Sequence, residues 1–296
     1  MAALAQQPDL PKFQVGVSVV RVDAQVLESG QPLSNLLKED FAVYDEETLQ
    51  TISYFGRDTE PLSLILLLDV SGSMTRFLDQ MAASALAAAG HLKAADRVAV
   101  MLFSRRSKVT QELTDDHGVL LTRLLEAGQD ESLGTGTEIN RALMDAARYL
   151  TESASDTGRR SVLIVTDNND VNYQLPDDAV IAAFHDANAV LNAIVVGKAK
   201  RPPPPPDRGY RNPDFTPADV FRIAEETGGE TVSTERAAGI LSEMFERIRT
   251  RYSLHYAAPR AGPGQFRRIR VDLTSDARWR HSTAVIRARS GYRVAR

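Results

Sequence analysis

The sequence predicts an α/β protein with a doubly wound, mainly parallel sheet and an accessory β-sandwich built from both ends of the chain. Between Pro61 and Arg251, short apolar runs alternate with helical patterns, the order that places helices on both faces of a parallel sheet. Before and after this region the patterns are mainly those of strands. A chain of 296 residues, 43% of them hydrophobic, is long enough to bury both units.

The middle of the chain carries the α/β pattern. Residues 62–68 form an almost unbroken apolar run, as expected for a strand that is covered on both faces. Residues 76–94 are rich in Ala, Leu and Met and predict the first helix. The same signals predict further strands at 97–103, 107–113, 161–166, 190–196 and 230–233, and further helices at 116–127, 138–152, 177–188, 217–227 and 235–250.

The two ends of the chain carry strand patterns. Residues 13–27 alternate apolar and polar, with a phase slip near Val19 that predicts a β-bulge or a break. Because the C-terminal strands are too few to fold alone, we expect them to pair with the N-terminal ones. The other candidate strands are 41–45, 49–55, 252–257, 267–273 and 284–293. The predicted division is a disordered start or signal-peptide remnant at 1–12, an α/β domain at 59–251, and the two parts of the sandwich at 13–58 and 252–296.

Composition excludes several classes of protein. The chain has no cysteine, so it has no disulfide and no thiolate metal site. Its net charge of -4 lacks the basic surplus of a general nucleic-acid binder, and no apolar run approaches the ~20 residues that span a bilayer. Residues 3–5, Ala-Leu-Ala, fit the pattern before a signal-peptidase site. We therefore expect export to the periplasm or the exterior. The alternative is a short disordered N-terminus without a targeting role, in a cytoplasmic protein.

A run of five prolines, residues 202–206, interrupts the α/β alternation. Such a run forms a stiff polyproline II helix and cannot join a sheet or the interior of an α-helix. A partner with a matching groove is one explanation. An exposed loop between a strand and the next helix is the favoured one.

Oxygen-bearing side chains follow two of the apolar strands. Asp69 comes directly after the first buried strand, and Ser71 and Ser73 follow at alternate positions. Asp167 ends a second buried strand. Ligands bind at the carboxyl ends of parallel strands, and two neighbouring carboxylates need a cation or protons between them. Three oxygen donors within five residues suit a hard cation such as Mg²⁺.

A third segment fits the same site. Residues 134–137, Gly-Thr-Gly-Thr, form a flexible loop that ends with the hydroxyl of Thr137 before a predicted helix. Each motif also has a simpler explanation when it stands alone. The first is then a turn, and Thr137 and Asp167 are helix N-caps.

Together, these motifs resemble the von Willebrand factor A family with its metal-ion-dependent adhesion site, over roughly residues 60–250. The resemblance rests on the DxSxS of residues 69–73, on Thr137 within TEINRAL, and on Asp167 after an apolar strand. The flanks are similar to related proteins of Acidobacteria, in the stretch 39–45 (EDFAVYD) and in the ending 289–292 (RSGY).

The resemblance implies a set of metal ligands. Ser71, Ser73 and Thr137 would contact the ion directly or nearly so, and Asp69 and Asp167 would act partly through water. The ion would be Mg²⁺, or Mn²⁺ or Ca²⁺, and its open position would take a carboxylate from a protein partner. The family commonly has glycine after the third-motif aspartate, whereas this chain continues with Asn-Asn-Asp. We expect two of these residues, Asn168 and Asp170, to form the rim of the site.

The sequence therefore predicts a metal-dependent protein-binding or adhesion module of an exported bacterial protein, and not an enzyme. One alternative is a hydrolase with Ser71 or Ser73 as nucleophile, although the G-x-S-x-G motif is absent. The other is a scaffold in which the metal has a purely structural role. None of the five histidines has the spacing of a metal or catalytic motif. They are His91, His117, His185, His255 and His281.

Overall fold

The computed structural model describes residues 18–127, 133–134, 136–155, 157–169, 175–202 and 218–294. The first part of the chain forms five strands, with one turn of 3₁₀ helix at Lys38–Asp40 before the third. These strands are β1 (Val19–Glu28), β2 (Gln31–Pro32), β3 (Phe41–Asp45), β4 (Thr48–Gln50) and β5 (Ile52–Arg57).

Strands and helices alternate through the middle of the chain. The elements are β6 (Leu62–Asp69), α1 (Thr75–Ala82), α2 (Ala85–Ala89), β7 (Arg97–Phe103), β8 (Ser107–Thr114), α3 (Val119–Ala127), α4 (Ile139–Ser153), β9 (Arg159–Thr166), α5 (Asp177–Asp186), β10 (Ala189–Val196), α6 (Val220–Thr227), β11 (Thr231–Thr234) and α7 (Ile240–Arg249). The last part of the chain adds β12 (Tyr252–Ala257), β13 (Phe266–Leu273), α8 (Ser275–Arg280), β14 (Val285–Arg287) and β15 (Gly291–Arg293).

A six-stranded sheet forms the centre of the α/β part. Its order is β11-β10-β9-β6-β7-β8, and β8 is the one strand antiparallel to its neighbour. The chain passes from β6 to β7 on one side and later returns to β9 on the other. The carboxyl end of β6 is therefore the point where the strand order reverses, which is where open α/β sheets bind ligands.

Helices cover both faces of this sheet. All eight residues of β6 are buried, because successive side chains enter opposite layers. Leu64 and Leu66 pack toward α1, α2, α3 and α7, while Ile65 and Leu67 pack toward α4, α5 and α6. Burying one such side chain stabilises the fold by about 1.5–3 kcal/mol. Among the described residues, no helix is long and apolar enough to cross a membrane.

Strands from the two ends of the chain pair with each other in two antiparallel sheets. One has the order β14-β1-β12-β5, with β2 beside β1, and the other has the order β15-β13-β3-β4. In the first sheet, Val22 of β1 faces Leu254 of β12. Buried side chains from both ends share one core between the sheets. The expected fold class, a mainly parallel α/β sheet with additional antiparallel sheets, is confirmed, while the domain boundaries stay a prediction.

Several predicted elements differ in extent from the observed ones. The helix expected at 76–94 is wrong in length, since it is divided between α1 and α2 and ends before Gly90. The hydroxyl of Ser84 donates to the carbonyl of Met81 at the break, a bond that competes with helix continuation. The last helix begins at Ile240 and not at 235, because Gly239 adopts a φ of 82° at its N-cap.

The strand predictions also need correction at the ends of the chain. Residues 49–55 and 284–293 each contain two strands instead of one, and the short helix α8 was not expected. Within β1, Val20, Val22 and Ala24 are buried in alternation, as the even phase of the pattern predicts. The residues on the other side of the predicted phase slip, 13–17, lie outside the described residues, as do 1–12 and four of the five prolines.

Candidate functional site

Asp69 is the last residue of β6 and is completely buried. Its Oδ1 accepts a hydrogen bond from the backbone N–H of Ser71 at 2.9 Å, and its Oδ2 accepts one from the hydroxyl of Thr166 at 2.7 Å. Burial raises the pKa of this carboxyl to about 6, against the opposing effect of those two hydrogen bonds. The fold therefore holds a carboxylate where an isolated negative charge is costly.

Asp69 differs from the two other aspartates that are completely buried. Asp45 forms an ion pair with Arg267 at 2.6 Å, and Asp96 forms one with Arg249 at 2.9 Å. In the described part of the chain, Asp69 forms no ion pair with any lysine, arginine or histidine. Because buried charges are normally paired, the unpaired carboxylate of Asp69 is an exception among the completely buried aspartates of the described residues.

The loop after β6 presents two hydroxyls close together. The Oγ atoms of Ser71 and Ser73 lie 3.2 Å apart on the accessible side of the loop. The loop is fixed at both ends, since the N–H of Val70 donates to Phe103 at 2.9 Å and that of Met74 donates to Ser71 at 2.8 Å. Met74 is itself buried in the core. The two hydroxyls are thus held beside Asp69 by the backbone and by an apolar anchor.

Asp167 lies at the end of the neighbouring strand, just beyond Thr166. Leu68 of β6 pairs with Val165 of β9, which places Asp69 beside this end of β9. Burial is the main cause of the raised pKa of Asp69, and the negative charge of Asp167 raises this pKa further. Two carboxylates from adjacent strands are therefore close enough to repel each other.

The residues after Asp167 explain how the chain turns without the glycine of the family pattern. Asn168 has a φ of 57°, in the left-handed region that asparagine tolerates better than most residues. The backbone N–H of Asn169 donates to Oδ1 of Asp167 at 3.1 Å, and its side-chain amide donates to Oδ2 at 2.9 Å. Both oxygens of Asp167 are thereby oriented by one residue. The second expected rim residue, Asp170, lies outside the described residues.

Thr137 lies on a loop that is attached to the end of β7, the strand on the other side of β6 from β9. The hydroxyl of Ser104, which follows β7, donates to the carbonyl of Gly134 at 2.8 Å, and the backbone carbonyl of Ser104 accepts the N–H of Glu138 at 2.8 Å. Its neighbour Phe103 pairs with Asp69. Thr137 is buried, and its hydroxyl forms no hydrogen bond within the described residues. The loop that carries Thr137 is therefore attached next to the Asp69 loop.

The simpler explanations for Thr137 and Asp167 do not hold in this fold. The N-cap of α4 is Glu138, and no side chain caps that helix. The N-cap of α5 is Pro176, nine residues after Asp167. The turn after Asp69 does contain the hydrogen bond of an ordinary Asx turn, so for that motif alone the simpler explanation holds as well.

Three supporting residues were missed by reasoning from the sequence. Thr166 donates to Asp69 and also accepts the backbone N–H of Asn168 at 3.1 Å. Asn169 orients Asp167, and Ser104 holds the Thr137 loop. The polar threonine at the end of an otherwise apolar strand was a usable signal. The other two residues gave none, because their roles depend on neighbours that only folding creates.

The histidines are all engaged away from Ser71 and Ser73. None of the five contacts either hydroxyl, so neither serine has a histidine base. Their partners are Ser242 for His91, the Asp96 carbonyl for His117, the Glu226 carbonyl for His185, Glu60 for His255 and Glu28 for His281.

Comparison with solved structures returns chains of low sequence identity to this one. A von Willebrand factor type A protein from Catenulispora acidiphila is 15% identical, covers 96% of this chain and 75% of its own, and has a TM-score of 0.48. BatB from Bacteroides thetaiotaomicron is 18% identical, covers 63% of this chain and 97% of its own, and has a TM-score of 0.49.

A search of curated proteins gives no significant match. The family comparison does give one, and it spans the DxSxS loop, the Thr137 loop and the end of β9. Residues 64–169 match the model of the von Willebrand factor type A domain.

Proposed function

We propose that this chain is a metal-dependent protein-binding module. It holds a divalent cation through Asp69, Ser71, Ser73, Thr137 and Asp167, and it captures an acidic residue of a partner protein. The observation that carries the proposal is the carboxylate of Asp69, which is completely buried and has no cationic partner among the described residues. The von Willebrand factor type A domain, generally a protein-interaction module, supports the binding role.

The donor set fits a hard cation. Asp69 and Asp167 repel each other across two strand ends, and a divalent ion between them would remove that repulsion. The hydroxyls of Ser71 and Ser73 add two neutral oxygens 3.2 Å apart. Mg²⁺ binds oxygen ligands and readily keeps several waters, so it suits a site with few carboxylates. Mn²⁺ and Ca²⁺ are the alternative ions.

A bound ion would supply a positively charged position for a carboxylate of the partner. Neutral hydroxyls neutralise less of the ion's charge than carboxylates do, which favours one more anionic ligand. The chain's own residues keep the oxygens in place for this. Thr166 fixes one oxygen of Asp69 and Asn169 fixes both oxygens of Asp167, as supporting partners do around many metal ligands.

The binding test compares two double variants by calorimetry with Mg²⁺ and Mn²⁺. Asp69→Ala with Ser71→Ala removes two proposed ligands, so we expect the binding heat to disappear. Asp79→Ala with Ser84→Ala changes the same residue types in the adjacent helical region and should bind as the unchanged protein does. Equal affinity in all three proteins would eliminate the metal site.

The partner test is affinity capture from an envelope extract of the source organism, with Mg²⁺ or with EDTA. We expect a protein that is captured with Mg²⁺, released by EDTA, and absent when Asp69 and Ser71 are replaced. A scaffold with a structural metal gives another result, in which EDTA lowers the melting temperature but releases no partner. Labelling of Ser71 or Ser73 by a serine-directed phosphonate would support the hydrolase alternative.

We also propose that the protein works outside the cytoplasm. The support is the Ala-Leu-Ala pattern near the N-terminus. Fractionation of the source organism tests this directly, since a cytoplasmic location would remove the envelope as the source of partners.

A further inference from the structure

A groove of about 380 Å³ lies at the amino end of the parallel sheet, away from Asp69. It is bounded by the start of β1, the end of α5 and the residues that follow β14. Its volume falls within the range of roughly 300–1,000 Å³ that is usual for small-ligand sites. The polar lining comes from Arg21, His185, Asp186, Asn188, Arg289 and Arg293.

Arg289 is the unusual member of this lining, because its guanidinium is buried without a counter-ion. Its side chain is 8% exposed. One Nη donates to the carbonyl of Arg21, while the Nε is buried and has no hydrogen-bond partner. No carboxylate of the described residues forms an ion pair with it, and burial lowers its pKa to about 10. By contrast, the equally buried Arg159 and Arg251 both pair with Asp23.

The rest of the lining does not neutralise this charge. Among the described residues that line the groove, Asp186 is the single acidic one, and it pairs with Arg293 at 3.2 Å. A smaller cavity of about 20 Å³ adjoins Arg289 and has room for one water. A water there could accept a hydrogen bond from the guanidinium but would add no negative charge. Asp23, the carboxylate that acts on the charge of Arg289, already pairs with Arg159 and Arg251. An oxyanion would accept the hydrogen bond and add the negative charge, since the planar guanidinium matches the oxygens of a carboxylate or a phosphate.

We propose that this groove binds a small oxyanion, a carboxylate or a phosphate, with Arg289 as its principal ligand. Asn188 lines both the groove and the smaller cavity together with Arg289, which places an amide where it can contact the same anion. The inference does not depend on the metal site. It lies at the other end of the sheet and uses none of the same residues.

The first test measures binding of inorganic phosphate and of acetate by calorimetry, together with the melting temperature, against chloride at the same ionic strength. We expect at least one of the two anions to bind and to raise the melting temperature. Arg289→Met should weaken that binding about tenfold or more, the scale of a lost charge-assisted hydrogen bond. Arg268→Met, which changes an exposed arginine of β13, is the matched control and should bind as before.

A second variant covers the case in which Arg289→Met does not fold. Asn188→Asp places a carboxylate in the lining, so it should occupy Arg289 from within and abolish the response to added anion. Asn188 has a φ of 52°, a conformation that aspartate also tolerates. Stronger binding of phosphate or of acetate would identify the anion class. Absence of binding by both anions in the unchanged protein, or unchanged binding in the folded variants, would overturn the proposal.

Discussion

The two ends of the parallel sheet hold buried negative charge in opposite ways. At the amino end, Asp96 is as completely buried as Asp69 at the carboxyl end. Asp96 pairs with Arg249 at 2.9 Å and accepts the backbone N–H groups of Leu62 and Lys93. Asp69 has hydrogen-bond donors too, but among the described residues it has no cationic partner. Asp96 is therefore paired as the chain folds, whereas Asp69 is not.

The amino end of the parallel sheet also joins the α/β part of the molecule to the antiparallel sheets. Arg159 at the start of β9 and Arg251 before β12 pair with the two oxygens of Asp23 in β1, at 3.0 and 3.1 Å. Arg159 also donates to the carbonyl of Arg249 at 2.9 Å. Buried charge with its partner is thus part of the structure here. Asp69, by contrast, forms no ion pair within the described residues, which is why we propose a cation beside it.

The largest expected effect comes from breaking the paired end. Asp96→Ala removes one of the two carboxylates that pair with the buried Arg249 guanidinium, the other being that of Asp58, and it leaves the N–H groups of Leu62 and Lys93 without their acceptor. We therefore expect a loss of about 3–5 kcal/mol in the free energy of unfolding, measured by urea denaturation. Asp79→Ala, on the exposed side of α1, should change it little. Mg²⁺ affinity of the folded Asp96 variant should stay the same. A loss as small as that of the Asp79 variant would contradict the comparison.

The next effect concerns Asp69 in metal-free protein. Because its pKa is raised to about 6, the folded protein retains a proton that the unfolded chain has lost between about pH 4 and pH 6. The contribution of this group to the free energy of unfolding is therefore fully present below about pH 4 and is lost as pH rises through about 6. At neutral pH the ionised carboxylate lowers the free energy of unfolding by about 3 kcal/mol. Asp69→Asn removes that cost.

The measurement is urea denaturation of both proteins in EDTA across this pH range. The Asn variant should match the unchanged protein at about pH 4 and exceed its stability at about pH 7. Added Mg²⁺ at neutral pH should then stabilise only the protein that keeps Asp69. A stability difference that is independent of pH would show that the carboxyl of Asp69 titrates normally.

A smaller effect is expected from the residues that support Asp167. Asn169→Ala removes the side-chain amide that orients this carboxylate, and we expect Mg²⁺ affinity to fall about tenfold in calorimetry. Asn188→Gly is the matched control, because it changes an asparagine of similar left-handed φ, 52°, at the other end of the sheet, where glycine fits without strain. The glycine variant should bind as before. Equal affinity of both variants would mean that Asp167 needs no such support.

The smallest expected effect tests whether burial decides how much an ion pair contributes to the free energy of unfolding. Arg141 forms an ion pair at 2.7 Å with Glu138, the residue that follows Thr137. The arginine side chain is 65% exposed. Arg141→Ala should therefore change the free energy of unfolding by about 0.5 kcal/mol or less. A change as large as that of the Asp96 variant, in the same urea experiment, would remove burial as the deciding factor.

The sequence predicts the strands of this fold better than its helix ends. The bounds of β7 agree with the prediction, because a buried strand needs a continuous apolar run and the sequence shows one. The helix at 76–94 was predicted too long, because the hydrogen bond of Ser84 to the Met81 carbonyl is a local competition that composition does not show. The late start of α7, at Ile240, depends in the same way on one backbone angle, that of Gly239.

Some residues of the candidate site could be predicted from the sequence and others could not. Asp69 and Ser71 could be found because spacing along one strand end fixes them relative to each other. The support from Asn169, and the pairing of Asp23 with Arg251 at the other end, could not. In the latter pair the two residues are far apart in sequence and meet only after both sheets have formed. Charged residues at such positions are indistinguishable in sequence from ordinary surface residues.

The way the α/β part is attached has a mechanical consequence. The chain leaves β5 at Arg57 and returns at Tyr252, and these two residues face each other in adjacent strands. Tension along either strand therefore passes to its neighbour through the hydrogen bonds between them, without stretching the sheet that holds Asp69. If the protein binds a partner under mechanical load, the residues around Asp69 would keep their positions while the antiparallel strands bear the force.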